Sequence, residues 1–513
     1  MPAEEGYLLA IDVGTTTTRC ILFDLEGRPV GEAYREPTVY HPQPDWTEVE
    51  PEDWWESTVA AIRETFRRSQ VPVAKILAVG LCGLKHALVP IDASGKPLAR
   101  AMLWMDQRCQ PQAEWLAREH GDLIDETMGG GGSISTTPSA PKLRWIVEND
   151  PGLLLHTAKF LLAKDFIRFR LTGTIATDPT DAAGTRLYDR RSGDWSRPLL
   201  ERIGVPPEKM PPIHDSTAVA GEVTQAAARA TGLAAGIPVV VGGGDVRCTL
   251  IGANAFGVRA CLYLGTAAWI STRRGVSAGH ATSAPRPGTV CRSLSADCFG
   301  ATSTTGAALK WLLTLFGLER PDLPSASYTA LLQEAKASPP GARGLIFLPH
   351  LMGERAPQDD PQARGTLFGL TLAHSRSDIA RAVLEGCAFQ LRQIAETLAL
   401  GGVKEGASCP DPMVIVGGGA KSELWRSIIA DVMGVPLLVP RVLEAGALGA
   451  AILAGVGVGV YRSVQEAAQE LVQIVRRIEP DAARHECYGR IYALFLELED
   501  KVAPLYGRVP VGG

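Results

Sequence analysis

Three turns in this chain combine glycine with small residues, and each follows an apolar run that predicts a β-strand. The first is DVGTTTTR at residues 12–19, which places a carboxylate at a strand end beside a threonine-rich turn. The others are LGTAAW at residues 264–269 and GGGAKS at residues 417–422. Backbone N–H groups stay accessible in such turns and meet phosphate oxygens, to which threonine hydroxyls also donate. A single Thr-rich turn also has a purely structural explanation, but three in succession indicate a phosphate-binding site.

Two common nucleotide-binding signatures are missing from the sequence. A P-loop requires GxxxxGK[ST], but Gly95-Lys96 is followed by proline. A dinucleotide-binding Rossmann fold requires GxGxxG after its first strand, where DVGTTT stands instead. The three turns therefore indicate a different class of phosphate-binding fold.

The apolar pattern predicts the elements that hold these turns. Runs at residues 7–11, 19–23 and near Val30 predict strands joined by turns, and residues 51–68 predict an amphipathic helix that starts at a proline. GIPVVVGGGD, near the middle of the chain, repeats the opening theme of a strand and a turn that carries an aspartate. We therefore expect two similar α/β domains, residues 1–240 and 241–513, which start alike and face each other across a cleft.

Length and composition agree with this organisation. A chain of 513 residues exceeds the usual size of one hydrophobic core, and 46% hydrophobic residues fit an ordinary globular protein. The net charge of −5 argues against a general nucleic-acid binder. An N-terminus unlike a signal peptide, and the lack of an apolar run of about 18 residues, predict a cytoplasmic protein with no membrane partner. None of the ten cysteines forms a CxxC pair, so core thiols are expected.

Longer motifs resemble one family over nearly the whole chain. Residues 365–385, GTLFGLTLAHSRSDIARAVLE, match the second diagnostic pattern of the FGGY carbohydrate kinases, and PSAPKLRWIVEN approximates the first. AKDFIRFRLTGTIATDPTDAAGT and LPHLMGERAPQDDPQARGTLFGL are similar to xylulokinase segments. The resemblance implies an α/β fold in which two actin-like ATPase (ribonuclease H-like) domains flank a catalytic cleft. It also implies ATP and Mg²⁺ as cofactors, a small sugar as acceptor, and homodimerisation as an expectation.

The same resemblance assigns roles to individual residues. Asp245 is the expected general base, against the alternative of an aspartate that caps a turn, and both Asp12 and Asp245 are expected at Mg²⁺. The residues expected to contact the nucleotide lie in the glycine turns: Gly14, Thr15, Thr16 and Arg19 in the first, Gly265 and Thr266 in the second, Gly418, Gly419 and Ala420 in the third, with Gly306 flanking the pocket.

The sugar side departs from the xylulokinase pattern. Those enzymes show Gly-Gln-Met-His where this chain has Gly-Leu-Lys-His at residues 83–86, and an asparagine where Val246 stands. His86 and Asp106 are predicted to hydrogen-bond sugar hydroxyls, although a histidine beside a strand is often a satisfied core residue. Lys85 joins His86 at the substrate only if the chain turns or bulges there, since strand neighbours point to opposite faces.

Three functions follow in order of preference. The first is a pentulose kinase for xylulose, ribulose or a close analogue. The second is a kinase for an acidic sugar such as gluconate, motivated by Lys85 and Arg247. The third is a non-catalytic nucleotide-binding regulator of the actin fold, which would have no use for a base at Asp245.

Overall fold

The computed structural model describes residues 6–128, 134–256, 259–273, 297–320, 324–357, 360–398 and 411–508. The chain divides into two compact units, Met1–Asn254 with Glu444–Val472, and Ala255–Leu443 with Gln473–Gly513. The first unit thus extends past the expected boundary near residue 240, and it also includes the later segment Glu444–Val472. The glycine run at residues 129–132, expected as a mobile loop or a connector, lies outside the described residues.

Residues 6–254 form the following elements. The strands are β1 (Tyr7–Val13), β2 (Thr18–Asp24), β3 (Pro29–Arg35), β4 (Val39–Tyr40), β5 (Glu48–Val49), β6 (Ile76–Gly83), β7 (Val89–Ile91), β8 (Ala101–Met102), β9 (Lys159–Leu161), β10 (Tyr188–Asp189), β11 (Asp194–Trp195), β12 (Val219–Glu222), β13 (Pro238–Val240) and β14 (Gly243–Gly244). The helices are α1 (Pro51–Ser69), α2 (Gln110–Met128), α3 (Ser139–Asn149), α4 (Pro151–His156), α5 (Ala163–Thr172), α6 (Pro179–Gly184), α7 (Arg197–Ile203), α8 (Gln225–Thr231) and α9 (Asp245–Gly252).

The later described residues continue the series. The strands are β15 (Cys261–Leu264), β16 (Ala268–Arg273), β17 (Asp297–Ala301), β18 (Ile346–Leu348), β19 (Thr366–Phe368), β20 (Met413–Val416), β21 (Leu437–Pro440) and β22 (Ile474–Ile478). The helices are α10 (Gly306–Leu315), α11 (Pro324–Ala337), α12 (Arg376–Thr397), α13 (Glu423–Met433), α14 (Ala445–Gly457), α15 (Val464–Leu471) and α16 (Ala482–Val502). Helices α14 and α15 belong to the first unit.

The first unit is built on a mixed sheet in the order β12-β13-β6-β1-β2-β3, with β14 also paired to β6. Strands β1, β2 and β3 are antiparallel neighbours, whereas β6 runs parallel to β1. Helix α1 buries Trp54, Ala61 and Ile62, and it starts at Pro51, where the missing N–H costs nothing. The predicted opening strands and the predicted helix are confirmed.

The second unit repeats this order as β17-β16-β15-β20-β21-β22. Strands β15, β16 and β17 are antiparallel, and β20 runs parallel to β15, as β6 does to β1. The expected internal repeat is present, but its second copy starts at β15. The structure differs from the expected start of a second domain at residue 241, because β13 and β14 pair with β6 in the first sheet.

Backbone contact joins the returning helix α14 to the rest of the first unit. A Cβ on Gly252 of α9 would clash with the Ala445 carbonyl oxygen, and one on Gly449 of α14 would clash with the Cys248 carbonyl. Gly80 of β6 approaches the Ala450 carbonyl equally closely. These contacts require glycine, and they fix both α9 and α14 against the sheet.

Within the described part of the chain, no helix combines the length and apolar character that a membrane span requires.

A buried histidine ties two segments of the second unit together. His350 follows β18, with its Nδ1 2.5 Å from Glu354 Oε2 and its Nε2 3.0 Å from Glu499 Oε1 of α16. Burial disfavours a charged imidazole, but hydrogen bonds to the two glutamates outweigh it and raise the pKa of His350 to about 9. His350 is therefore a structural cation at neutral pH.

We expect the charge on His350 to stabilise the fold most below pH 6.5, its ordinary pKa, and this contribution to disappear as the pH rises to about 9. The sign follows because the folded state holds the proton more tightly than the unfolded chain. Each pKa unit corresponds to about 1.4 kcal/mol, so the full contribution is about 3 kcal/mol. Denaturant unfolding of wild type and His350→Asn should give free energies of unfolding that converge between pH 6.5 and 9. A pH-independent difference would contradict a charged His350.

Candidate functional site

Strand register brings Asp12, the predicted metal ligand, and Asp245, the predicted base, to the same end of neighbouring strands in the first sheet. Asp12 of β1 is the neighbour of Cys82 in β6, and Cys82 is the neighbour of Gly243 in β14. Asp245 follows β14 directly, as the first residue of α9. Asp12 and Asp245 are thus close in space although 233 positions separate them in the sequence, and the charge of Asp245 contributes to raising the pKa of Asp12.

The turn predicted to bind phosphate first along the chain is a tight loop between β1 and β2. The Gly14 amide donates to the Thr17 carbonyl at 2.9 Å, and a Cβ on Gly14 would lie only 2.6 Å from that oxygen. Thr16 is exposed and Thr15 is half-buried, with its hydroxyl accepting from Trp104 Nε1 at 2.9 Å. Gly14 therefore shapes the turn, while Thr15 and Thr16 occupy its accessible part.

Carboxylates outnumber cations around Asp12. Burial raises the pKa of Asp12 to about 6, and the charges of Asp245 and Glu444 add to this against the charge of Arg19. Arg19 forms an ion pair with Glu444, the residue that precedes α14. The negative charges that act on Asp12 would stabilise an additional cation beside its carboxylate.

These residues fit a magnesium ion that arrives with a nucleotide. Mg²⁺ is usually held by one or two carboxylates together with waters and substrate phosphates, and Asp12 and Asp245 supply such a pair. A complete protein cage is not required, and in the described part of the chain no three His, Cys, Asp or Glu side chains are grouped to form one. The negative charge and the carboxylate oxygens of Asp12 and Asp245 both suit Mg²⁺.

The backbone turns where β6 ends, and this brings Lys85 and His86 to the same side. His86 has a φ of 74°, in the left-handed region, and both residues are half-buried. A Cβ placed on Gly184 would lie 3.3 Å from His86 Cε1 and 3.3 Å from Lys85 Cδ. A Cβ on Gly244 would be 2.5 Å from Lys85 Cε. The Lys85 side chain therefore lies along the residue that precedes Asp245.

Asp106 does not share this surface. Its carboxylate is fully buried and accepts from the Thr47 amide at 2.8 Å and from Arg108 Nε at 2.9 Å and Nη2 at 2.7 Å. Arg108 in turn stacks on Trp46, 3.5 Å from the ring centroid. These contacts occupy the carboxylate, so the geometry supports a structural ion pair with Arg108 and not the predicted contact with sugar.

In the second unit, the predicted Gly265 and Thr266 turn meets Gly306. The Thr266 carbonyl accepts from the Thr305 amide at 3.0 Å and from the Ala307 amide at 2.9 Å, at the start of α10. The Gly306 amide donates to the Gly265 carbonyl at 3.0 Å, and a Cβ on Gly306 would clash there. Backbone atoms thus bring these three residues together and leave the Thr266 side chain exposed.

The third turn leaves the neighbouring strand of the same sheet. Strands β15 and β20 are parallel, and Gly417 packs so closely on Leu264 that a Cβ would lie 2.7 Å from the Leu264 carbonyl oxygen. Gly418 is exposed and open on its Cβ side, whereas Ala420 is buried. Gly418 therefore presents bare backbone beside Gly265, whereas Gly419 packs against Leu264 and Trp425.

Two groups beside Asp12 and Asp245 were not predicted from the sequence. Trp104 reaches the Thr15 hydroxyl, and the tryptophan of WMDQR was the only available signal for it. Thr180 accepts from the Gly244 amide at 2.9 Å, and the TDPTDAAGT segment gave no indication of such a contact. Both contacts join residues distant in sequence, so local patterns do not reveal them.

Comparisons with known proteins point to one family over most of the chain. Residues 7–252 match the N-terminal domain of the FGGY family of carbohydrate kinases, and residues 279–458 match its C-terminal domain. The xylulose kinase of Bacillus subtilis is 31% identical over 95% of this chain and 96% of its own length. Two Lactobacillus acidophilus structures, a ligand-bound xylulose kinase and a gluconate kinase, each show 25% identity and a TM-score of 0.81, covering 98% and 99% of this chain and 100% of their own. This chain therefore belongs to the FGGY family of carbohydrate kinases, and it is a phosphotransferase that uses an alcohol group as acceptor.

Proposed function

We propose that this chain transfers the γ-phosphoryl group of Mg·ATP to a hydroxyl of a pentulose, with xylulose as the preferred acceptor. The observation that carries the proposal is the register Asp12, Cys82 and Gly243, which places Asp245 beside Asp12. The choice of sugar rests on the relatives from B. subtilis and L. acidophilus, which are xylulose kinases. A small sugar, ATP and Mg²⁺ are the ligands that this function requires, and homodimerisation and a cytoplasmic location stay predictions.

Asp245 is assigned as the general base. Its carboxylate takes the proton of the acceptor hydroxyl while the hydroxyl oxygen bonds to the γ-phosphorus, and the bond between that phosphorus and the bridging oxygen breaks to release ADP. The Val246 amide donates to Asp245 Oδ1 at 2.7 Å, which fixes the rotation of the carboxylate. Val246, half-buried beside the base, is assigned to the acceptor, together with Lys85 and His86.

The nucleotide roles follow the three turns. Asp12 and Asp245 would hold Mg²⁺, which neutralises phosphate charge when bound. Arg19 is assigned to phosphate oxygens as well as to its ion pair with Glu444. The remaining nucleotide contacts are assigned to the turn residues of each unit: Gly14, Thr15 and Thr16 in the first, and Gly265, Thr266, Gly306, Gly418, Gly419 and the buried Ala420 in the second.

We expect ADP release to depend on a sugar, with xylulose giving the highest kcat/KM in a panel that includes ribulose, gluconate and glycerol. In Asp245→Asn, kcat should fall about 10² to 10⁴-fold, because the near-isosteric amide is not a base, while Mg·ATP affinity changes little. Single-turnover measurement isolates the chemical step from product release.

The matched control for this variant is Asp194→Asn, which changes an exposed carboxylate of the same unit and should keep wild-type turnover. An Asp245→Asn enzyme within a few-fold of wild type would rule out the base. Nucleotide binding with no turnover on any sugar would favour the non-catalytic regulator.

We expect Asp12→Ala and Thr266→Val each to raise the apparent KM for ATP about tenfold or more, and Asp12→Ala also to weaken the response to Mg²⁺. Each change removes a group assigned to metal or phosphate, and hydrogen bonds to charged groups are worth about 1.5 to 3 kcal/mol. Thr314→Val, an exposed hydroxyl on α10, is the control for Thr266→Val. Unchanged ATP and Mg²⁺ dependence in both variants would contradict these assignments.

The position of Lys85 favours the acidic-sugar alternative as a second candidate. Burial raises the pKa of Asp181 to about 8, and the positive charge of Lys85 acts against this rise. The Lys85 ammonium group is therefore near Asp181, and its stem packs on Gly244. Among the described residues, no hydrogen bond or ion pair is formed by Lys85. A half-buried ammonium group beside the base is suited to an anionic group on the acceptor, and one of the similar structures is a gluconate kinase.

If Lys85 binds an anionic group, Lys85→Met should lower kcat/KM for aldonates relative to ketoses about 10- to 100-fold, because a charge-assisted hydrogen bond is lost. Methionine keeps the apolar stem that packs on Gly244. Lys96→Met, which removes an exposed charge from the same unit, controls for net charge. The measurement is the ratio of kcat/KM values for gluconate and xylulose, and an unchanged ratio would exclude Lys85 from specificity.

A further inference from the structure

The glycine turn before Asp245 is held by a side chain from another part of the first unit. The Gly244 amide donates to Thr180 Oγ1 at 2.9 Å, and the Thr180 hydroxyl donates to Asp178 Oδ2. Gly244 immediately precedes the proposed base. A threonine 64 positions earlier in the sequence therefore fixes the backbone at the point where Asp245 starts α9.

A buried charge network anchors Asp178 in turn. Asp178 Oδ1 lies 2.9 Å from Lys164 Nζ, which also contacts Asp165 at 2.6 Å and Asp181 at 3.0 Å. All four side chains are fully buried. Such a network is rigid because each displacement would leave a buried charge without its partner, which costs several kcal/mol.

The same network also holds the other end of the turn. Arg168, fully buried as well, pairs with Asp165 at 2.8 Å and donates to the Val241 carbonyl at 3.1 Å. The Val241 carbonyl and the Gly244 amide bracket the three glycines. One set of buried side chains, on α5 and at the N-terminus of α6, thus fixes both ends of the segment that leads to Asp245.

The segment needs such support because it has no side chains of its own. Glycine gains least from packing and loses the most conformational freedom on folding, and Gly242 adopts a positive φ of 82°. Only backbone hydrogen bonds and close contacts can set the position of Asp245 here. A displacement of about 1 Å at a reacting group costs about 10²-fold in rate.

We propose that Thr180 is a positioning residue for the base, acting through the Gly244 amide, an inference that rests on the proposed role of Asp245. The Thr180 hydroxyl donates its proton to Asp178 and accepts from Gly244, so it transmits the position of the buried network to the turn. Thr180 does not itself touch the reacting atoms. Its loss should impair phosphoryl transfer and leave nucleotide binding intact.

The test compares Thr180→Val, which keeps the shape and removes the hydroxyl, with Thr180→Ser, which keeps the hydroxyl. Thr231→Val is the matched control, because the Thr231 hydroxyl also makes one donated bond, to the Ala227 carbonyl at 2.7 Å, and one accepted bond, from the Leu233 amide at 3.2 Å. Thr231 is fully buried in α8 of the same unit. Thermal unfolding and near-UV circular dichroism establish that all variants are folded at the assay temperature.

In single-turnover experiments with xylulose and Mg·ATP, Thr180→Val should react about 10- to 100-fold more slowly than wild type, with the KM for ATP changed less than about twofold. Thr180→Ser should recover most of the rate, and Thr231→Val should match wild type although it loses the same number of hydrogen bonds. A Thr180→Val rate equal to that of Thr231→Val would overturn the proposal.

The double variant separates positioning from general damage. If Thr180 acts through Asp245, adding Thr180→Val to Asp245→Asn should cause little further loss, since contributions that pass through one group are not additive. If the rate loss of the double variant equals the product of the two single-variant losses, the proposal is overturned. A full-rate Asp245→Asn enzyme would refute the proposed base itself, whereas a slow Asp245→Asn with a full-rate Thr180→Val would refute only the positioning role.

Discussion

The close contact of α9 with α14 is the constraint on which the first unit depends. Gly252 and Gly449 let the two helices approach until backbone meets backbone, and α14 rests on β6 at Gly80 in the same way. Helix α9 begins at Asp245, and α14 begins directly after Glu444. Because overpacking a close contact costs about 1 to 3 kcal/mol and shifts the backbone, any side chain at these glycines would also displace the charges at the helix starts.

This contact brings negative charge close to Asp12. Asp12 comes from the first strand, Asp245 from the middle of the chain and Glu444 from the returning segment, and all three act on the pKa of Asp12 or on Arg19. Holding three carboxylates together opposes folding, and the rigid helix pair supplies the compensating packing. Under the proposed function, Mg²⁺ and its phosphate ligand would bind here without much rearrangement, which is what phosphoryl transfer requires.

The sequence was informative where structure is local. The opening strands, α1 and the glycine turns are set by apolar periodicity and by residues that only turns tolerate, and these predictions are confirmed. Sheet membership was not predictable, because β14 is two residues long and joins β6 by a pairing that no local pattern encodes. Likewise WMDQR did not reveal that the Asp106 carboxylate pairs with Arg108 two positions later. The strand pattern left open whether the chain turns at Lys85 and His86, and the positive φ of His86 shows that it does.

The first unit contains a segment, Glu444–Val472, that is synthesised long after the rest of the unit. The order of synthesis therefore determines when this unit can complete its packing. Residues 255–443, most of the second unit, separate the two parts of the first. At typical rates of about 5 to 20 residues per second, a ribosome needs about 10 to 40 s to produce them. During that interval Gly252 and Gly80 have no helix against them, Arg19 lacks Glu444, and the apolar face that α14 will cover stays in contact with water. The first unit therefore completes its packing and its charge arrangement only after residues 255–443 have been synthesised.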